Sequence, residues 1–344
     1  MTSARRHRRS GARPAQLRGR SLVGTTLLLD VGPAAHGGVC VTRHEGRVVF
    51  VRHTLPGERV RARVTEGTTE ARYLRADAVE VVEASPHRVD APCPYAVPAG
   101  CGGCDWQHVD LDYQRSLKAT VVAEAFRRIA GLDVSVPVEP LPGPSRGLGW
   151  RTRVELAVGP DGRAGLRRHR SHDVVALRSC AIASPAVAEC GVLDRDWTGT
   201  RAVQVVVPVG GSTVVVPAPG GAVPDVTEQV TVGGWTGRFT LSARGFWQVH
   251  PGAPATFVQR TLNDLAPRPG ERVLDLYAGA GLFSLPLAAA VGSGGTVTAV
   301  EADTVAAEHG ARNAAAYPHV RFEAGRVEQL LGSVEAADLV VLDP

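Results

Sequence analysis

The chain has 344 residues, 44% of them hydrophobic and 21% charged, with a formal net charge of +4. That length holds two or three domains, and no apolar run approaches the ~18 residues that a membrane-spanning helix needs. Six cysteines without a secretory signal argue against a disulfide framework and for metal or cluster binding.

Residues 1–20 carry seven Arg and no acid, and read as a disordered basic tail or an RNA-contacting arm. Residues 21–85 read as short strands separated by turn signals at Gly32-Pro33, Glu45-Gly46 and Pro56-Gly57, which suggests a small barrel. Between Glu58 and Val64, Val60, Ala62 and Val64 alternate with Arg59, Arg61 and Arg63, the pattern of a half-buried strand with a basic outer row. A Cys- and Pro-rich loop follows from Cys93 to Cys104. A helix is expected over Asp110 to Ile129, with Leu117, Val121 and Ala125 on one face, and then a Pro-rich linker from Pro137 to Pro144.

From Gly149 to about Val249 the chain is again strand-like. Arg151, Arg153 and Glu155 alternate with Thr152, Val154 and Leu156, and hairpin turns are expected at Asp161-Gly162 and Gly210-Gly211. From Gly270 strands and helices alternate: strands at Val273 to Leu276, Thr296 to Val300, Val320 to Glu323 and Asp338 to Leu342. That spacing predicts a parallel α/β sheet with ligands at the C-terminal ends of its strands. Charge is uneven: five Arg face ten acids from Ala266 to Pro344, whereas seven Arg face two acids from Pro144 to Arg170. The first stretch suits a small cofactor and the second suits phosphates.

Three constellations carry chemistry. In Asp275-Leu276-Tyr277-Ala278-Gly279-Ala280-Gly281 a strand runs into a glycine turn and then a helix, and Glu301 closes the next strand, where a carboxylate can hold ribose hydroxyls. A methyl donor, a nicotinamide nucleotide and an unoccupied turn all remain open at this point. Cys93, Cys101 and Cys104, with Cys180 or Cys190 further along, can hold a cluster or zinc, while Cys40 reads as an inert buried thiol. Phe246 and Trp247 beside Gln248 could stack and bond a base, or could fill the core at a domain junction.

Together these residues resemble the RNA 5-methyluridine methyltransferase family with an N-terminal TRAM domain, from about Gly24 to the last residue. The resemblance is carried by Gly37-Gly38-Val39, Leu55-Pro56-Gly57-Glu58, the Cys93 to Cys104 loop with Asp105-Trp106-Gln107-His108, His172 to Cys180, and Trp150 to Arg153. Phe246 to Gln248, Asp275 to Ser284, Val300-Glu301 and Asp343-Pro344 continue it in order; Leu282 and Arg326 depart from the pattern. It implies an OB-like TRAM β-barrel over 21–85, a central α+β RNA-binding domain with an iron–sulfur loop over 86–250, and part of a Rossmann-like class I methyltransferase sheet over 251–344. It implies a 4Fe-4S cluster on Cys93, Cys101, Cys104 and Cys180, and S-adenosylmethionine contacts from Gln248, Tyr277, Gly279, Gly281, Glu301 and Asp343. RNA is the implied partner, ribosomal ahead of transfer RNA, with Arg59, Arg61, Arg63, Arg151, Arg153 and Phe246 as its expected contacts. The implied reaction is a Cys thiolate adding to uridine C6, methylation at C5, and loss of the C5 proton to a carboxylate base. The nucleophilic Cys and the base Glu are expected beyond Pro344, so the chain is read as a fragment, inactive by itself. A cytoplasmic monomer is expected. A non-catalytic RNA-binding iron–sulfur protein, or an iron–sulfur redox protein with a nucleotide site, are the other readings.

Overall fold

In the computed structural model the described residues are 19–144, 146–333 and 336–344, so the basic-tail reading of residues 1–20 lies outside them except for Gly19 and Arg20. The chain forms two compact units, Met1–Gly100 with Cys104–Val138, and Cys101–Gly103 with Glu139–Pro344. Among the described residues no helix is long and apolar enough to cross a membrane.

The first unit is built on six strands: β1 (Thr26–Asp30), β2 (Ala34–Ala35), β3 (Val39–His44), β4 (Arg47–Arg52), β5 (Arg59–Glu66) and β6 (Tyr73–Glu83). They lie in the order β1-β5-β6-β4-β3-β2, with β4 and β6 parallel and the other neighbours antiparallel. Strict alternation on β5 buries Val60, Ala62 and Val64 and leaves Arg59, Arg61 and Arg63 outside, as the period of two dictates. The Thr42 hydroxyl donates to the Asp30 carbonyl at 2.6 Å and draws β3 toward the end of β1. One buried carboxylate fastens the segment after β6 back onto the barrel. Glu58, 1% exposed, accepts from Arg88 at 2.6 and 2.7 Å and from the Leu55 and Ser85 amides at 2.9 and 3.2 Å. Burial alone would raise its pKa, but Arg88 and the two amides hold it below the ordinary value. Helix α1 (Leu111–Ala125) begins where Asp110 accepts from the Tyr113 amide at 2.8 Å, a side-chain N-cap. It ends in a π-helical turn, Phe126–Ala130, stopped by Gly131 at φ 68°. Leu117 alone of its residues is fully buried, and it joins the barrel core.

The second unit opens with an antiparallel sheet of β7 (Arg153–Val158), β8 (Ala164–Arg167), β9 (Val174–Ala176), β10 (Ala202–Val206) and β11 (Val214–Ala218), ordered β11-β10-β7-β8-β9, with the short helix α2 (Pro185–Glu189) inserted before β10. Asp161-Gly162 and Gly210-Gly211 fall in the hairpins joining β7 to β8 and β10 to β11. A two-stranded hairpin of β12 (Asp225–Val232) and β13 (Trp235–Ser242) follows, then α3 (Ala253–Leu265). Four parallel strands complete the unit, β14 (Arg272–Leu276), β15 (Thr296–Glu301), β16 (Val320–Ala324) and β17 (Leu339–Leu342), in the order β16-β15-β14-β17. Helices α4 (Ser284–Val291), α5 (Thr304–Asn313) and α6 (Val327–Leu330) connect them, as parallel pairing requires. Phe239, Val258, Leu287 and Val297 share one core, so hairpin, α3 and parallel sheet pack as a single body.

Candidate functional site

The C-terminal ends of β14, β15 and β17 bring three carboxylates into mutual influence. Asp275 on β14 is 1% exposed; the Ser284 hydroxyl donates to its Oδ2 at 2.5 Å, and its Oδ1 is buried without a partner. Burial pushes Asp275 up to about 7; its bonds from Ser284 oppose this, and the charges of Asp343 and Glu301 add to it. After β14 the chain turns sharply. Tyr277 takes φ 63°, Gly279 φ 56° and Gly281 φ 98°, which leaves the Tyr277 ring 37% exposed. Only Gly281 is also crowded: a Cβ there would stand 2.8 Å from Leu285 Cδ1 and 3.2 Å from Phe322 Cζ, whereas at Gly279 nothing lies within 4 Å.

Glu301, the last residue of β15, accepts from the Gly279 amide at 2.8 Å and from the Asp303 amide at 2.7 Å. Each carboxylate oxygen keeps a further lone pair, so the group can still accept from vicinal hydroxyls. The glycine turn is braced from behind by Asn313. Its amide nitrogen donates to the Ala280 and Thr240 carbonyls at 3.0 Å each, and its oxygen accepts from the Thr240 amide at 2.9 Å. Sequence reasoning missed Asn313 and Ser284 as supports. Ser284 closes the Asp275-to-Ser284 stretch, which was a visible signal; Asn313, at the end of α5, gave none. Leu282 is buried, and Arg326 is exposed beside Glu328 at 3.4 Å.

The segment from Ala243 to Val249 resolves the two readings of its aromatics by dividing them. Trp247 is 6% exposed and packs on Phe239 with ring centroids 5.1 Å apart, while Phe246 is 76% exposed. Gln248 follows, half-buried.

The expected RNA contacts separate in the same way. Arg59, Arg61 and Arg63 stand on the outside of β5, Arg59 beside Asp30 and Glu83 at 3.7 and 3.9 Å and Arg61 beside Glu80 at 3.2 Å. Arg151 is half-buried, its guanidinium 6.0 Å from the Trp150 ring centroid. Arg153 is a correction: only 6% exposed, it donates to the Ala243 and Gly245 carbonyls at 3.3 and 3.0 Å and to Glu228 at 3.2 Å. Burial lowers its pKa against the pull of Glu228, and its charge is not offered to a phosphate. Arg153 is withheld from RNA because Glu228, on β12, pairs with it inside the unit.

No disulfide joins any two of the six cysteines. Cys40 is 1% exposed, and burial pushes its thiol up to about 11, so it is inert. In the first unit the Gln107 side chain accepts from the Cys93 amide at 3.1 Å and donates to the Cys104 sulfur at 3.3 Å. In the second the Gly103 amide donates to the Cys101 sulfur at 3.3 Å, while Cys180 borders a small apolar pocket with Val154 and Leu193. Cys190 bonds the Val187 carbonyl. The thiols of Cys93, Cys101, Cys104 and Cys180 are all half-buried, and those of Cys101 and Cys104 accept N–H bonds, as sulfur ligands do. Among the described residues, though, no three His, Cys, Asp or Glu are gathered for a metal ion.

Against this geometry, residues 20–79 match the TRAM domain family. An uncharacterized RNA methyltransferase of Streptomyces avermitilis is 45% identical over 92% of this chain and 82% of its own length. A 23S rRNA (uracil(1939)-C(5))-methyltransferase of Chromohalobacter salexigens is 32% identical over 92% of this chain and 75% of its own. The tRNA (uracil-54, C5)-methyltransferase of Pyrococcus abyssi, solved with S-adenosyl-L-homocysteine, superposes with a TM-score of 0.66 at 20% identity, covering 92% of this chain and 84% of that one. That likeness extends the shared fold to nearly the whole chain. The chain belongs to the TRAM-domain RNA methyltransferases.

Proposed function

We propose that this protein serves S-adenosylmethionine-dependent methylation of uridine C5 in RNA, ribosomal RNA ahead of transfer RNA, as a cytoplasmic monomer. The observation that carries the reading is the glycine turn after β14, whose Gly279 amide is held at 2.8 Å by the Glu301 carboxylate. Glycines at left-handed φ and a carboxylate one strand over form a cradle for an adenosyl group. The residues fit. Glu301 would hold the ribose hydroxyls, Gly279 and Gly281 would allow close backbone approach, and Tyr277, Gln248 and Asp343 would flank the ligand. When bound, the donor supplies a methyl group activated by a sulfonium.

Uracil C5 is too weak a nucleophile until a thiolate adds at C6, so the reaction calls for a cysteine and a carboxylate base as well as an unstacked target base. Neither Cys40, buried and inert, nor Cys190, bonded to Val187, is offered for that role. Phe246 supplies the exposed ring on which an unstacked base would rest. Cys93, Cys101, Cys104 and Cys180 are proposed as ligands of a 4Fe-4S cluster, on donor chemistry and sequence pattern, with a structural role.

Mass spectrometry of 5-methyluridine in separately purified ribosomal and transfer RNA, with and without the gene, tests the function. Loss from ribosomal RNA alone is expected. Loss from transfer RNA alone would keep the reaction and overturn the substrate, and no change in either would overturn the reading.

A further inference from the structure

Two consecutive residues at the start of β7 hold both ends of the loop that bears Phe246 and Gln248. Thr152 takes the far end: its amide and its hydroxyl both donate to the Val249 carbonyl, at 2.8 and 3.0 Å. Arg153 takes the near end, donating to the Ala243 and Gly245 carbonyls at 3.3 and 3.0 Å. The guanidinium is itself fixed. Glu228 accepts from it at 3.2 Å, and the second Glu228 oxygen accepts from the Val209 amide at 3.0 Å. Both partners of this ion pair have side chains no more than 5% exposed. Within the loop, the Gly245 amide closes a turn on the Ser242 carbonyl at 2.8 Å, and Trp247 plugs into the core against Phe239. With both ends clasped and the centre plugged, the exposed side chain of Phe246 stands out on a backbone that has little freedom to move.

We propose that Arg153 is a positioning residue for RNA: it works through the loop, fixing Phe246 as a stacking surface and Gln248 beside it, and does not touch a phosphate. This deepens the function proposed above and rests on it. A guanidinium suits the task because its rigid planar fork serves the two carbonyls from one nitrogen and the carboxylate from another, a spread that the single ammonium nitrogen of a lysine lacks. Removing either partner of this desolvated ion pair costs the folding unit stability. That fits a group kept for the geometry it imposes.

The experiment is binding of the full chain to a single-stranded oligouridine by fluorescence anisotropy across a salt series. The chains are the unaltered one, Arg153→Lys, Thr152→Val, Phe246→Ala and the two doubles that combine Phe246→Ala with Arg153→Lys or Thr152→Val. Far-UV circular dichroism checks that each folds. Arg153→Lys and Thr152→Val are each expected to weaken binding several-fold without changing the slope of log K against log salt, and to have almost no further effect once Phe246 is Ala. A phosphate contact would instead be kept by the lysine, which carries the same charge, so Arg153→Lys would leave binding nearly unchanged, and any loss would add to that of Phe246→Ala independently. That outcome would overturn the proposal. If Arg153→Lys does not fold, Thr152→Val decides the matter, since it removes only the hydroxyl bond at the other end of the loop; additive behaviour there sinks the idea as well. Failure of the unaltered chain to bind oligouridine would overturn the RNA reading, and this inference with it.

Discussion

Asp275 is the residue whose chemistry most depends on what occupies the site. Its carboxyl is buried, lies near the charges of Glu301 and Asp343, and is held up to about 7. A cationic ligand favours the ionised form and lowers that pKa in the complex. The complex then binds fewer protons than the free protein, so affinity rises as pH climbs toward 7 and binding near pH 6.5 releases protons. Calorimetry of S-adenosylmethionine binding in two buffers of different ionisation heat measures the release directly. Equal heats in the two buffers would sink the account, and Asp275→Asn should abolish the difference. Glu58, the other buried carboxylate with a shifted pKa, moves the opposite way because Arg88 is already there to pair with it.

At the scale of elements, the glycine turn offers a sharper comparison than any single contact. Gly279 and Gly281 both need positive φ, but only Gly281 also lacks room. Gly279→Ala should cost roughly 1–2 kcal/mol of backbone strain. Gly281→Ala should cost more, because Leu285 and Phe322 must also move, and urea unfolding of the two variants ranks them. Equal costs would mean that the φ constraint alone matters. The parallel strands were legible in the sequence because each is a short apolar run set off by turn residues, and the β5 pattern because its period of two is unbroken from Arg59 to Val64. The helix over Asp110 to Ile129 was legible to within a turn; its last residues slip into a π-helical turn that periodicity does not report. Helix α3 went unread although Val258, Leu262 and Leu265 share helical spacing, since a Pro at its start and a stretch of mixed residues blur the signal. The site was legible where backbone conformation demands a residue type, as at Gly279 and Gly281. It was illegible where a long-range partner decides, as at Arg153, whose fate depends on Glu228 far along the chain. For the same reason sequence alone could not divide Phe246 from Trp247.

At the scale of the whole molecule, the cysteine proposal has the cleanest readout. Protein purified without oxygen should carry iron and acid-labile sulfide in equal amounts. Cys180→Ser and Cys101→Ser should lose both, while Cys190→Ser, whose sulfur bonds a carbonyl of its own helix, should retain them. Iron-free unaltered protein would refute the cluster and leave the methyl-donor site untouched. The clasp on the Phe246 loop carries a consequence of another kind, one of timing. Thr152 and Arg153 meet their loop partners across sequence separations of 97, 90 and 92 residues. At a synthesis rate of about 5–20 residues per second, β7 waits roughly 5–20 s for the segment that will satisfy it. Throughout that interval a guanidinium destined for the interior must stay in water, so the surface that presents Phe246 takes shape only after β12 and β13 have been synthesised.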